Sequence, residues 1–130
     1  MKHHLLLVED NPDDHYMVKR ALRCMPNLEI AVAVNGREAV DYLFAHEQSP
    51  PALVLLDVKM PQMSGIEALC LIRTNEALAE LPVVVFSSSN EPTDIEEAMR
   101  CKATEFVQKP VNFDNYNETV LRLVQQYIAA

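Results

Sequence analysis

The stretch Leu5-Leu6-Leu7-Val8-Glu9-Asp10-Asn11-Pro12-Asp13-Asp14 changes character halfway, and that change decides the architecture. Four consecutive apolar residues suit a strand covered on both faces. Two carboxylates follow at once. Asn11 before Pro12 is then a helix cap with proline at the first helical position. Asp13 and Asp14 fall in the first turn, where the macrodipole favours acids, and are read as helix charges only. Met17, Val18, Ala21, Leu22 and Met25 continue at helical spacing until Pro26.

The same unit recurs. Leu28, Ile30, Val32 and Val34 alternate with other residues as a strand with one better-covered face does, Ala52–Leu56 runs into Asp57, Val83–Phe86 into Ser87, and Phe106-Val107 into Gln108-Lys109. Asn35-Gly36 opens a second helix bearing Ala39, Val40 and Leu43, closed by Ser49-Pro50-Pro51. Gly65 opens a third bearing Ile66, Leu69, Cys70 and Ile72. Thr93-x-x-Glu96 reads as a capping box for a fourth with Ile95, Ala98 and Met99, and a fifth begins near Phe113. Strand and helix alternate five times. That is an α/β chain with a parallel sheet and helices on both faces, because parallel strands need crossover helices.

With 130 residues the chain is expected to form one domain, 1–130, with no output domain after the last helix. Eleven Lys+Arg against nineteen Asp+Glu give a formal net charge of −8, which excludes a nucleic-acid surface and suits a cationic partner. Apolar runs such as Pro82–Phe86 are far too short to span a membrane, and the N-terminus does not read as a signal sequence. Cys24, Cys70 and Cys101 are odd in number and far apart, so no disulfide is expected; they are read as small core hydrophobes in a reducing cytoplasm. His3, His4, His15 and His46 are read as surface residues.

Ligands of open α/β sheets bind outside the carboxyl ends of the strands. Glu9 and Asp10, Asp57, Ser87 and Lys109 all fall on that edge. Three carboxylates meeting there repel unless a cation neutralises them, and hard oxygen ligands without His or Cys suit Mg²⁺. A hydroxyl and an ammonium beside such an ion are what a phosphoryl group requires.

Here the sequence resembles the bacterial response-regulator receiver domains, of the chemotaxis-regulator kind. The resemblance rests on Leu5-Leu6-Leu7-Val8-Glu9-Asp10-Asn11, on Leu55-Leu56-Asp57-Val58-Lys59-Met60-Pro61-x-Met63-x-Gly65, on Phe86-Ser87-Ser88, and on Lys109-Pro110. It implies the flavodoxin-like (βα)5 fold with strand order 2-1-3-4-5. It implies that Asp57 accepts a phosphoryl group from a sensor histidine kinase, with Mg²⁺ held by Glu9, Asp10, Asp57 and the backbone carbonyl of Lys59. Ser87 and Lys109 would hold the phosphoryl oxygens, Phe106 would turn inward in response, and Lys109-Pro110 would be a cis peptide. The module would be no enzyme beyond its own phosphorylation and dephosphorylation. In this family the residues two beyond the acceptor and two beyond the hydroxyl, here Lys59 and Ser89, tune hydrolysis; Ser88 stands where alanine is frequent.

The opening Glu9-Asp10-Asn11-Pro12-Asp13-Asp14-His15 and the ending Lys109-Pro110-Val111-Asn112-Phe113 are similar to stand-alone regulators paired with phytochrome-type and hybrid sensor kinases. Phe113, Tyr116, Val120, Leu123 and Tyr127, widened by Leu121, Val124 and Ile128, give the last helix a broad apolar face. That face either covers the sheet or leaves an extra stripe that docks a partner or pairs with another subunit, as some of those regulators do through the strand-five and helix-five side. Three rival functions share some of these features. A flavodoxin-type carrier would find Glu9-Asp10 repelling its phosphate, and a haloacid-dehalogenase-type phosphatase needs an acid where Lys59 stands. A phosphorylation-independent receiver-like scaffold remains as the alternative.

Overall fold

The computed structural model describes residues 3–128. In chain order the elements are β1 (His3–Val8), α1 (Pro12–Ala21), β2 (Leu28–Ala33), α2 (Gly36–Ala45), β3 (Leu53–Leu56), α3 (Gly65–Arg73), β4 (Val83–Ser87), α4 (Pro92–Arg100), β5 (Glu105–Gln108) and α5 (Phe113–Tyr127), with a 3-10 turn at Glu76–Leu78. The sheet is wholly parallel with the order β2-β1-β3-β4-β5, as expected from the resemblance.

Alternation along each strand divides the core in two. Leu6, Val8, Val54, Leu56, Val83 and Val85 face α2, α3 and α4, meeting Val40, Leu43, Leu69 and Ala98. Leu5, Leu7, Leu53, Leu55, Val84 and Phe86 face α1 and α5, meeting Val18, Tyr116, Val120 and Leu123. Both faces are covered, which is why the central strands read as unbroken apolar runs. Register then aligns the strand ends. Val8 pairs with Leu56, Leu56 with Val85, and Ser87 with Gln108. The residues that follow therefore emerge along one edge.

Capping largely follows the sequence. Asn11 accepts from the Asp13 amide at 2.9 Å, and Ser64 from the Glu67 amide at 3.2 Å. Asn35, itself buried, accepts from the Glu38 amide at 2.8 Å while the Glu38 carboxylate takes the Val34 amide at 3.2 Å. Asn35→Ala strips that cap and is expected to cost about 1 kcal/mol, read as a lowered urea midpoint at unchanged slope.

Four expectations are corrected. Thr93 does not cap α4: the helix starts at Pro92 with Glu91 at the N-cap and no side-chain cap bond, proline's fixed φ having set the start earlier. Helix α1 stops at Ala21 rather than running to Met25; the backbone turns through Leu22–Met25 and reaches β2 by a Leu28 amide bond to the Met25 carbonyl. No peptide bond among the described residues is cis, so Lys109-Pro110 is trans, the commoner state of an X-Pro bond. The Lys109 amide bonds the Ser87 carbonyl at 2.8 Å, so the ladder carries the lysine to the edge without a cis turn. Cys70 and Cys101 form a disulfide, with Cα atoms 5.0 Å apart, while Cys24 is free and exposed. Spacing along the chain gave no sign of this pair, because only the packing of α3 against the end of α4 brings the two together.

The apolar face of α5 is spent mostly inside the molecule. Tyr116, Val120, Leu123, Val124 and Ile128 are buried, and Leu121 and Tyr127 pack half-buried against the same core. Phe113 stays exposed, with the Arg20 guanidinium 4.8 Å from its ring centroid. Sheet cover thus accounts for the stripe apart from Phe113.

Candidate functional site

Glu9 follows β1 and Asp57 follows β3, each with its amide tied into the ladder: Glu9 to the Ala33 carbonyl at 2.9 Å, Asp57 to the Val8 carbonyl at 3.0 Å. One oxygen from each of Glu9, Asp10 and Asp57 lies within 4.8 Å of the others. The three acids expected to converge do so. Glu9 is only 2% exposed, Asp57 is half-buried and Asp10 is exposed, so the cluster opens to solvent on one side.

The Lys109 ammonium meets Glu9 Oε1 at 2.5 Å and Asp14 Oδ2 at 3.3 Å. The second Glu9 oxygen accepts the Asn11 amide at 3.1 Å, and Asp57 Oδ1 accepts the Val58 amide at 2.9 Å. Burial pushes the Glu9 carboxyl up to about 7; the Lys109 hydrogen bond pulls it down, the Asp57 charge adds to the rise, and burial prevails. For Lys109, burial alone lowers the ammonium, but the Glu9 bond and the charges of Asp57, Glu9 and Asp14 outweigh it and hold it above its ordinary value. Excess negative charge is therefore present before any ligand. A hard divalent cation fits this donor set of carboxylate oxygens.

Ser87 ends β4, is 1% exposed, and accepts the Ser89 amide at 3.2 Å through its hydroxyl. The Ser89 hydroxyl donates to Asp94 at 2.7 Å, which ties the loop after β4 to the first turn of α4. Phe106 lies on β5, paired with Val85 and half-buried against the core on the α4 side. Lys59 is exposed in the loop after β3.

Three participants escaped the sequence. Asp14, read there as a helix charge, accepts from the Tyr116 hydroxyl at 2.7 Å besides pairing with Lys109. Tyr116, read as part of an apolar stripe, is buried but turns its hydroxyl toward the site; burial first, then Asp14, raises its phenol. His15, read as a surface residue, is half-buried with Nε2 at 2.5 Å from the Glu9 carbonyl oxygen. The usable signal was position: Asp14 and His15 lie one turn beyond the acidic pair on a helix that starts at the same edge.

Comparison with known proteins agrees. The response regulator receiver domain family matches residues 5–121. The chain is 32% identical over 128 residues to the probable methanogenesis regulatory protein FilR2 of Methanothrix harundinacea (strain 6Ac), covering 95% of this chain and 83% of that protein. It is 32% identical over 130 residues to the two-component response regulator ARR17 of Arabidopsis thaliana, covering 93% and 84%. The phosphorylated cyanobacterial phytochrome response regulator RcpA superposes with a TM-score of 0.92 at 27% identity, covering 99% of this chain and 96% of that one. The Mn²⁺-bound response regulator Rcp1 superposes with a TM-score of 0.87, also at 27% identity, covering 98% and 96%. A parallel sheet whose edge gathers three acids, a hydroxyl and a lysine, matched over nearly its whole length, thus belongs to the response regulator receiver domains, the signalling modules of two-component phosphorelays.

Proposed function

We propose that Asp57 accepts a phosphoryl group from a phosphohistidine on a sensor histidine kinase of the phytochrome-associated or hybrid kind. An Asp57 oxygen attacks phosphorus, the P–N bond breaks as the P–O bond forms, and the imidazole leaves. Glu9, Asp10, Asp57 and the Lys59 carbonyl would hold Mg²⁺, which when bound supplies positive charge against the phosphoryl oxygens. The observation that carries this is the convergence of Glu9, Asp10 and Asp57 within 4.8 Å beside the Lys109 ammonium. The Mn²⁺-bound Rcp1 structure and the phosphorylated RcpA structure support it by likeness.

Phosphorylation turns one carboxylate into a group of about −2 charge with three strong acceptors. The Lys109 ammonium then has a better partner than Glu9, and the Ser87 hydroxyl has reason to leave the Ser89 amide and donate inward. Phe106 would fill the space that Ser87 vacates. Moving such a pair of states from 1:99 to 99:1 takes about 5.5 kcal/mol of differential interaction, within reach of two charge-assisted hydrogen bonds and a metal bridge. The chain would act as a single-domain switch of a protein-contact surface, without turning over any other substrate. A phosphohistidine donor is made from ATP, which places the exchange in the cytoplasm. No described helix is long and apolar enough to cross a membrane.

Incubation with acetyl phosphate and Mg²⁺, followed by intact-mass measurement and peptide mapping, tests this. A phosphate-sized gain on the Asp57 peptide that requires the metal is expected. A chain that gains no mass under any phosphodonor is instead a scaffold.

A further inference from the structure

Asp14 is engaged on both oxygens by elements far apart in sequence. Oδ1 accepts from the Tyr116 hydroxyl of α5 at 2.7 Å, and Oδ2 lies 3.3 Å from the Lys109 ammonium that follows β5. Its own helix, α1, starts at the acidic edge. The Tyr116 ring is fixed in the core, with Phe86 edge-on at a centroid distance of 5.4 Å. A helix-charge role explains neither contact. A first-turn acid needs no tyrosine, and a tyrosine in an apolar stripe needs no carboxylate.

We propose that Asp14 is a positioning residue for Lys109, and that Tyr116 in turn fixes Asp14; this rests on the acceptor-site reading above. The Lys109 side chain is only 12% exposed, so water cannot hold its charge in place. Glu9 is its short partner in this structure, but Glu9 is also the buried acid that a cation would claim. Asp14 is the anion left to hold the ammonium at the edge once Glu9 is engaged elsewhere. Without Asp14 the lysine would stay on Glu9, obstructing the cation and standing off from the incoming phosphoryl group. Small displacements of such a group cost rate steeply.

The test compares the parent chain, Asp14→Asn, Tyr116→Phe and the double variant, measuring Mg²⁺ affinity by calorimetry and, at saturating Mg²⁺, the rate of phosphorylation by acetyl phosphate. Asp14→Asn is expected to phosphorylate about tenfold more slowly and to bind Mg²⁺ more weakly, because the lysine no longer has a second anion. Tyr116→Phe, which keeps the ring in the core, should slow the reaction by a smaller factor of about three. In the double variant the Tyr116 effect should vanish, since its action runs through the Asp14 charge. A purely structural tyrosine would give the same factor in both backgrounds, and that result overturns the proposal. Single variants at the parental rate with parental Mg²⁺ affinity overturn it too, and if Asp14→Asn does not fold, an unchanged Tyr116→Phe does so alone. A parent chain that takes up no phosphate overturns the acceptor-site reading itself, and this inference with it.

Discussion

Gly65→Ala is expected to lower the folding free energy by about 3 kcal/mol or more and to abolish phosphoryl uptake at Asp57. A Cβ at residue 65 would stand 1.8 Å from the Asp57 carbonyl oxygen, 2.8 Å from its carbonyl carbon and 3.2 Å from the Val58 Cα. All three are backbone atoms in a segment pinned by the Asp57 amide bond to Val8 and the Gly65 amide bond to the Val58 carbonyl at 2.8 Å. No side chain can swing aside to make room. Either α3 moves off the sheet, opening its contact through Ile66 and Leu69, or Asp57 leaves the position it shares with Glu9 and Asp10. Helix propensity taken alone gives the opposite sign, a gain of up to about 1 kcal/mol for alanine over glycine. Urea denaturation and acetyl phosphate labelling decide between them; a variant as stable and reactive as the parent would show that the loop yields freely.

Mg²⁺ affinity is expected to rise as much as tenfold per pH unit between about pH 5 and 7 and to level off above that. Glu9 sits at about 7 through burial, so below that value a proton must leave before the oxygen can serve a cation. Fold stability in the absence of metal runs the other way. The native Glu9 carboxyl holds its proton through a window, roughly pH 4.5 to 7, in which the unfolded one has already lost it. Stability from this group is complete below that window and is lost as pH rises through it, by about 3 kcal/mol at most. Calorimetric Mg²⁺ titrations and urea melts at pH 5 and pH 8, each with and without the ion, check both signs. Flat profiles in both would show that the Lys109 pair keeps Glu9 ionised throughout.

The sheet was legible because each central strand is buried on both faces and must be apolar throughout, and because each gives way at its carboxyl end to an acid or a hydroxyl. Glu9, Asp10, Asp57, Ser87 and Lys109 could be placed together for that reason alone, since parallel strands bring like ends to one edge. What escaped depends on contacts between elements. Asp14 has the same local sequence whether it serves the helix dipole or a lysine some 100 residues away, and the stripe on α5 conceals that Tyr116 carries one polar atom with somewhere to go. Thr93-x-x-Glu96 satisfies a capping pattern, yet Pro92 had already committed the backbone one residue earlier. The Cys70–Cys101 bridge depends on how α3 and α4 approach, which no spacing rule records.

The chain's two glycines bear on one short segment from opposite ends. Gly65 leaves no room beside Asp57, and at Gly36 a Cβ would come within 2.6 Å of the Met63 carbonyl oxygen, which the Gly36 amide bonds at 3.1 Å. Gln62 between them already takes a left-handed φ of 68°. A residue inserted or deleted between Asp57 and Gly65 is therefore expected to break one of these close main-chain approaches, whereas an exposed side chain such as Lys59 can be exchanged without touching them.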